Sequence, residues 1–186
     1  MAITERRLTA EEFLKLPEQR PNIELIDGKV VQKPLGQEQH GALQAILATL
    51  FNQFGRATKV AMALTELRGR FGQDVLLPDV AVYRWERLPR TAEGELANVY
   101  QGPPDIAVEI VSPDQSGREI IAKCQRYLAN GVQITLVVNP KQRSVTLGRV
   151  DESLTTLRGS DRIDLDDVLP GFELTVQELF DILRLD

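Results

Sequence analysis

The chain has 186 residues, of which 42% are hydrophobic and 26% charged, and this composition favours a single soluble globular domain spanning residues 1–186. One histidine and one cysteine are too few for a disulfide framework or a Cys/His zinc site. The net charge of -5 is concentrated in residues 151–186, which hold ten acidic and three basic residues, so it does not exclude a nucleic-acid partner. Short apolar runs and a charged N-terminus predict no membrane partner, no signal peptide and a reducing cytoplasmic location.

The chain begins with the pattern of a short helix followed by a hairpin. Thr9 and Glu12 have the spacing of a capping box, which predicts a helix that runs to about Leu16. The dipeptide Asp27-Gly28 lies between two apolar runs and predicts a two-residue hairpin over residues 23–31.

A long helix and two strands are predicted next. Apolar residues recur at helical spacing from 37 to 54, which indicates an amphipathic helix that ends at Gly55. Residues 58–67 and 75–83 have the composition of strands, and a glycine-containing turn at 69–72 separates them.

The second half of the chain alternates apolar strands with helices. The predicted elements are an irregular segment at 85–104, a strand at 105–111, a helix at about 115–130, strands at 132–138, 144–150 and 154–157, and a helix at 176–183. The strand at 105–111 is almost entirely apolar, which is typical of a strand buried on both faces. This order of elements predicts a two- or three-layer α/β (α+β) domain with a central mixed sheet.

Carboxylates inside apolar strands are the most informative residues. In the strand at 105–111, side-chain alternation places Glu109 between apolar neighbours on one face. Asp79 repeats this pattern, and so does Glu24 in the hairpin, where one face could also be solvated. An unpaired buried carboxylate costs several kcal/mol, so each acid needs a cation, a hydrogen-bond network or a raised pKa.

A lysine lies at the border of the apolar face of the helix at 115–130. Lys123 can extend to solvent, or it can meet the carboxylates because this helix packs on the strand that precedes it. Three carboxylates and a lysine at one end of a sheet suit a Mg²⁺ site, in which Lys123 positions or activates the nucleophile. A structural Lys–Glu pair with solvated acids fits the same spacing.

Six stretches in order along the chain carry a family resemblance. They are Leu8-Thr9-Ala10-Glu11-Glu12-Phe13, Glu24-Leu25-Ile26-Asp27-Gly28, Leu77-Pro78-Asp79-Val80-Ala81-Val82, residues 104–113, residues 123–132, and Val168-Leu169-Pro170-Gly171-Phe172. Together they resemble a bacterial family of candidate restriction endonucleases within the PD-(D/E)XK nuclease superfamily. Pro78-Asp79 corresponds to the PD of that superfamily and Glu109 to its second acid.

The resemblance implies a restriction endonuclease-like core, with a central mixed sheet flanked by helices, and hydrolysis of phosphodiester bonds in DNA. It makes Asp79 and Glu109 ligands of Mg²⁺, which Mn²⁺ would replace, and Glu24 an additional catalytic acid. Lys123 would orient the attacking water. The broad motif places its lysine two residues after the acid, where this chain has Val111, and the narrower family supplies the lysine from the following helix. Nucleases of this fold often act as dimers, which makes a homodimer an expectation.

Four other polar or reactive residues are expected to serve the structure. His40, at the start of the long helix, is expected to be polar and partly exposed; the alternative is that it faces the site, as a phosphate contact or as a group that supports a metal ligand. Asp105 is expected to orient the entry to its strand, Cys124 to be a small core residue, and Trp85 to pack in a loop.

Two further functions remain open beside the Mg²⁺-dependent endonuclease. The first is a catalytically inactive nuclease-fold protein that acts as a binding or assembly module, in which the acids serve packing or partner contacts. The second is a metal-dependent phosphodiesterase of small nucleotides, which predicts a pocket too narrow for duplex DNA.

Overall fold

The computed structural model describes residues 7–98, 102–113 and 115–185, where four α-helices and ten β-strands form. The helices are α1 (Ala10–Leu14), α2 (Glu38–Thr58), α3 (Gly117–Ala129) and α4 (Val176–Asp181). The strands are β1 (Ile23–Ile26), β2 (Lys29–Gln32), β3 (Ala61–Thr65), β4 (Gly69–Phe71), β5 (Asp74–Leu76), β6 (Val80–Arg84), β7 (Ile106–Ile110), β8 (Ile134–Asn139), β9 (Ser144–Arg149) and β10 (Thr155–Arg158).

A six-stranded mixed sheet, in the order β10-β9-β8-β7-β6-β3, forms the centre of the fold. Strands β7 and β8 are parallel and are connected through α3, whereas the other neighbouring strands are antiparallel. A second sheet has the order β2-β1-β5-β4. The parallel pair explains the nearly continuous apolar sequences of β7 and β8, because helices cover both faces of such strands. The predicted mixed sheet flanked by helices is therefore confirmed.

The side chains of β7 alternate between two hydrophobic clusters. Val108 belongs to the main core together with Leu47 of α2. Ala107 belongs to a separate cluster together with Tyr127 of α3. Because side chains two apart share a face, Glu109 points to the α3 side. The fold thus places this acid beneath the helix that follows its strand.

The single strand predicted at 75–83 is wrong, because two strands in different sheets form there. Strand β5 pairs with β1 and β4, whereas β6 pairs with β3 and β7. Pro78 lies between β5 and β6 and has no N–H group with which to continue a ladder. The turn predicted at 69–72 is wrong in part, since Gly69–Phe71 forms β4. The chain therefore crosses between the two sheets just before Asp79.

Gly55 does not end the long helix as predicted. The helix continues to Thr58 and closes with Lys59 in the left-handed conformation, at φ 54°. A Cβ atom at position 55 would lie 2.4 Å from the carbonyl oxygen of Ala61. The glycine is explained by the close approach of α2 to β3 rather than by helix termination.

The other predicted helices and strands are present, with ends shifted by a few residues. In the described part of the irregular segment, one turn of 3-10 helix forms at Trp85–Arg87. Residues 99–101 of that segment, and residues 1–6 on which the signal-peptide prediction partly depends, lie outside the described residues. None of the described helices combines the length and the hydropathy needed to cross a membrane.

Candidate active site

Glu109 is buried at the centre of the candidate site. It is only 2% exposed on β7. Its Oε1 atom accepts a hydrogen bond of 2.6 Å from the Tyr127 hydroxyl and lies 2.9 Å from Nζ of Lys123. Lys123 and Tyr127 are one helical turn apart on α3, so both side chains reach the same carboxylate.

Lys123 connects Glu109 with Glu24. Its Nζ atom lies 2.7 Å from Oε1 of Glu24, and that oxygen also accepts a hydrogen bond of 2.7 Å from the backbone N–H of Leu77. Lys123 is 8% exposed, so its charge is not in solvent. Glu24 is buried because β1 is an interior strand of the second sheet. The lysine therefore bridges two buried acids that come from different sheets.

Asp79 immediately precedes β6, and the antiparallel register of β6 and β7, continued by one residue, brings it level with Glu109 on the neighbouring strand. It is 1% exposed. Its Oδ2 atom accepts a hydrogen bond of 2.6 Å from the backbone N–H of Ile110 and lies 3.1 Å from Nε2 of His40. Three of the four predicted catalytic residues thus meet directly, and the fourth, Asp79, lies opposite Glu109.

A second buried lysine, which sequence reasoning missed, neutralises Asp79. Lys33 follows β2, and its Nζ lies 2.7 Å from Oδ1 of Asp79 and donates a hydrogen bond of 2.8 Å to the carbonyl oxygen of Leu77. Despite the nearby ammonium group, Oδ1 of Asp79 accepts no hydrogen bond of regular geometry. Among the described residues, Oδ1 of Asp79 is the only buried side-chain nitrogen or oxygen atom without a hydrogen-bond partner.

The two facing acids have opposite pKa shifts. Burial alone would raise the pKa of Asp79, but the hydrogen bond with His40 and the ammonium group of Lys33 outweigh it and lower that pKa. Burial raises the pKa of Glu109, against the opposing charge of Lys123. Burial acts to lower the pKa of Lys123, but Glu109 and Glu24 raise it above its usual value. Lys123 is therefore protonated at neutral pH.

His40 and Gln44 form the wall of the site on α2. The expectation that His40 is partly exposed is wrong, since it is 8% exposed and contacts Asp79. Gln44 donates a hydrogen bond of 2.9 Å to the backbone carbonyl of Asp79. The two residues are four positions apart on the helix, and this polar i, i+4 pair was the available sequence signal.

The three remaining residues singled out from the sequence lie in structural roles. Asp105 accepts a hydrogen bond of 2.8 Å from the backbone N–H of Arg84 and pairs with Arg87 at 2.7 Å, which fixes the entry to β7. Cys124 is buried in the core between α3 and the sheet. The ring of Trp85 packs in its loop and is covered by a nearby arginine.

Two clefts reach the site from solvent. A cleft of about 290 Å³ is lined by Arg20, Asn22, Lys33, His40, Gln44 and Glu66, among other residues. A larger cleft of about 880 Å³ is lined in part by His40, Ser112, Gln115, Ile120, Lys141 and Thr146. His40 lines both clefts and Lys33 lines the smaller one, so the clefts end at two side chains that contact Asp79, whereas Asp79 itself lines neither.

The donors at the site fit a Mg²⁺ ion held by two carboxylates. Mg²⁺ is usually bound by one or two carboxylates and keeps several waters. Glu109 on β7 and Asp79, just before the adjacent strand β6, provide the two carboxylates, and Oδ1 of Asp79 has unused capacity to accept a hydrogen bond. No group of three or more His, Cys, Asp or Glu side chains in the described ranges is arranged to hold a metal ion. Glu24 therefore belongs with Lys123 rather than with a three-acid cage.

The sequence and the fold both have relatives. The family model Uma2, described as "Putative restriction endonuclease", matches residues 10–177. The crystal structure of "a putative nuclease belonging to DUF820" from Anabaena variabilis is 32% identical in sequence, with a TM-score of 0.89. That alignment covers 95% of this chain and 99% of the other. No curated protein matches the sequence.

Proposed function

Because the chain belongs to the Uma2 family of restriction endonuclease-like proteins, which supports a nuclease role, we propose that it is a Mg²⁺-dependent endonuclease that hydrolyses phosphodiester bonds in DNA. One observation carries the proposal. Two buried acids, Asp79 just before β6 and Glu109 on β7, lie at the same end of two adjacent antiparallel strands, and the ammonium group of Lys123 lies 2.9 Å from Glu109. Mg²⁺ would be held by Asp79 and Glu109, with Mn²⁺ as a substitute.

When bound, the ion lowers the pKa of a coordinated water and neutralises charge on the phosphate. Lys123 is protonated at neutral pH, so it does not remove the proton from the attacking water. Its ammonium group instead orients that water or stabilises the charge that develops on a phosphoryl oxygen. Glu24 fixes the direction of Lys123 through the 2.7 Å ion pair, which makes it a positioning residue.

Nicking of supercoiled plasmid tests the proposal. We expect nicking by the wild-type protein with Mg²⁺ or Mn²⁺, and none with EDTA. Glu109→Gln and Lys123→Ala should each reduce the rate at least about 100-fold, as is typical when a catalytic electrostatic group is removed. Lys29→Ala, which changes an exposed lysine on β2, is the matched control and should retain the wild-type rate. Equal nicking by all four proteins would identify a contaminating nuclease and refute the proposal.

A second candidate is supported by the same ion pairs. Each of the three acids already has a lysine within 2.9 Å, as expected of a catalytically inactive nuclease-fold protein that uses them for stability and serves as a binding or assembly module. Thermal unfolding in a Mn²⁺ titration separates the candidates, because an ion that binds the folded state raises Tm. No change in Tm up to roughly 10 mM Mn²⁺ would favour the inactive protein.

The homodimer remains a prediction. Cleavage of both strands of a duplex by a small single-site nuclease is aided by a second copy of the site. Sedimentation of the protein with and without a DNA duplex measures whether one or two chains bind. A single chain on the duplex would contradict the dimer and would predict nicking without double-strand cleavage.

A further inference from the structure

The ammonium group of Lys33 lies among three oxygen atoms of the site. Its Nζ is 2.7 Å from Oδ1 of Asp79, 2.8 Å from the carbonyl oxygen of Leu77 and 3.6 Å from Oε1 of Glu66. We call these three oxygens the Lys33 cage. Two carboxylates and a backbone carbonyl are the hard oxygen donors that divalent cations such as Mn²⁺ and Mg²⁺ also select.

Glu66 is held in place for this contact. Its backbone adopts the left-handed conformation, at φ 52°, which is uncommon for a residue other than glycine. Asn22 donates a hydrogen bond to one carboxylate oxygen, and Gln44 approaches the other at 3.5 Å. A strained backbone and two amide donors thus fix the carboxylate of the half-buried Glu66 beside the lysine.

Asp79 belongs both to the Lys33 cage and to the proposed metal site. Its Oδ1 faces Lys33, and its position across from Glu109 makes it a proposed ligand of the first ion. A carboxylate shared in this way bridges the two cations in two-metal sites, which lie about 3.5–4 Å apart. In this chain the ammonium group of Lys33 lies beside the shared carboxylate of Asp79.

We propose that Lys33 occupies the place of a second divalent cation, so that the protein loads one metal ion and carries the second positive charge permanently in its own chain. This proposal rests on the proposed function only for the first ion, which Asp79 and Glu109 would hold. Lys33 is 6% exposed, yet it lies on the cleft of about 290 Å³, so its charge can act on a phosphate that enters there. A fixed ammonium has the advantage that it needs no metal to be recruited for that purpose.

Counting bound Mn²⁺ per chain tests the proposal. Electron paramagnetic resonance of free Mn²⁺ gives the number bound to the wild-type protein, Lys33→Ala and Lys33→Gln. We expect one ion for the wild type and two for each variant, since removal of the ammonium leaves the oxygens of the cage without a cation. Lys33→Ala/Glu66→Gln should return to one ion. Lys29→Ala, a control at an exposed position on β2, the strand that precedes Lys33, should bind one.

The outcomes separate this proposal from the proposed function. No gain of Mn²⁺ in whichever Lys33 variant is folded, judged by circular dichroism, would overturn the role of Lys33 and leave the first metal site intact. No ion in the wild type and one in the variants would overturn the first site and support the Lys33 cage. Lys33→Gln guards against misfolding, because its amide keeps polar contact with the carbonyl of Leu77.

Discussion

Replacing Lys123 with methionine removes the charge that two buried acids share. Methionine is unbranched and similar in length, so the main change is electrostatic. Glu24 and Glu109 would lose an ammonium group at 2.7 and 2.9 Å, and both remain buried by the two sheets and α3. The two carboxylates then face each other without a cation between them.

Removing one partner of a buried ion pair costs about 3–5 kcal/mol, because the remaining charge stays out of water without compensation. Here two charges are left, and the hydrogen bonds from Tyr127 and from the Leu77 N–H offset part of that cost. We therefore expect Lys123→Met to lower the free energy of unfolding by about 4 kcal/mol at pH 8. That loss is a large share of the roughly 5–15 kcal/mol that stabilises a typical domain.

The loss should depend on pH in a defined direction. Burial raises the pKa of Glu109 above the usual 4.5, and Lys123 is the largest influence in the opposite direction. When folding raises the pKa of a carboxyl group, the folded state binds the proton more tightly than the unfolded state does. The resulting stabilisation is fully present below the unfolded pKa and is lost as pH rises through the folded pKa. Without Lys123 the folded pKa of Glu109 rises further, so Glu109 stays protonated and uncharged to a higher pH. The loss of stability caused by Lys123→Met is therefore smaller at pH 5 than at pH 8.

Urea unfolding at pH 5 and pH 8 measures both effects. Lys29→Met is the control and should change stability by no more than about 0.5 kcal/mol, as for other exposed positions. Lys123→Met/Glu109→Gln should recover part of the loss at pH 8. A loss below about 1 kcal/mol at pH 8, the value of a solvated ion pair, or equal losses at both pH values would refute the buried-charge argument.

Three more predictions concern the surroundings of the site. Tyr127→Phe should lower stability by about 1–3 kcal/mol in urea, since it removes a hydrogen bond to buried Glu109, and an unchanged midpoint would contradict that bond. Gly55→Ala should also destabilise, by about 1 kcal/mol or more, because the clash with the carbonyl of Ala61 exceeds the helix-propensity gain; a stabilised variant would show that α2 can move away from β3. Burial raises the pKa of Cys124 to about 12, so a thiol reagent at pH 8 should label it only in denaturant, and labelling of the folded protein would place the thiol in solvent.

Local patterns predicted the elements that depend on nearby residues. The hairpin forms around Asp27-Gly28, and the strand that carries Glu109 differs from the prediction only at its ends. The proximity of Lys123 to Glu109 could be anticipated because a helix after a parallel strand packs back on that strand. The contact of Lys123 with Glu24 was only one of two alternatives left open by the sequence, since it depends on how a second sheet meets the first.

Lys33 was missed, and the burial of His40 was not predicted, for the same physical reason. Lys33 follows an exposed strand and precedes a proline, so neither alternation nor helical spacing marks it as buried. Its partner Asp79 is 46 positions away along the chain. His40 and Lys33 reach the same acid from different elements, which tertiary packing brings together. Apart from the i, i+4 spacing of His40 and Gln44 on α2, buried charge pairs of this kind leave no periodic signal in one sequence.

The structural and catalytic interpretations of these acids are compatible. Buried carboxylates need compensating charge in the folded protein before any metal ion arrives, and Lys33 and Lys123 supply it. The three acids exceed the two lysines by one, so the cluster keeps a net attraction for a cation at neutral pH when all are ionised. A metal ion bound by Asp79 and Glu109 would therefore add to ion pairs that already stabilise the folded site, and folding would not depend on the ion. Stability without metal and activity with metal are then expected of the same residues.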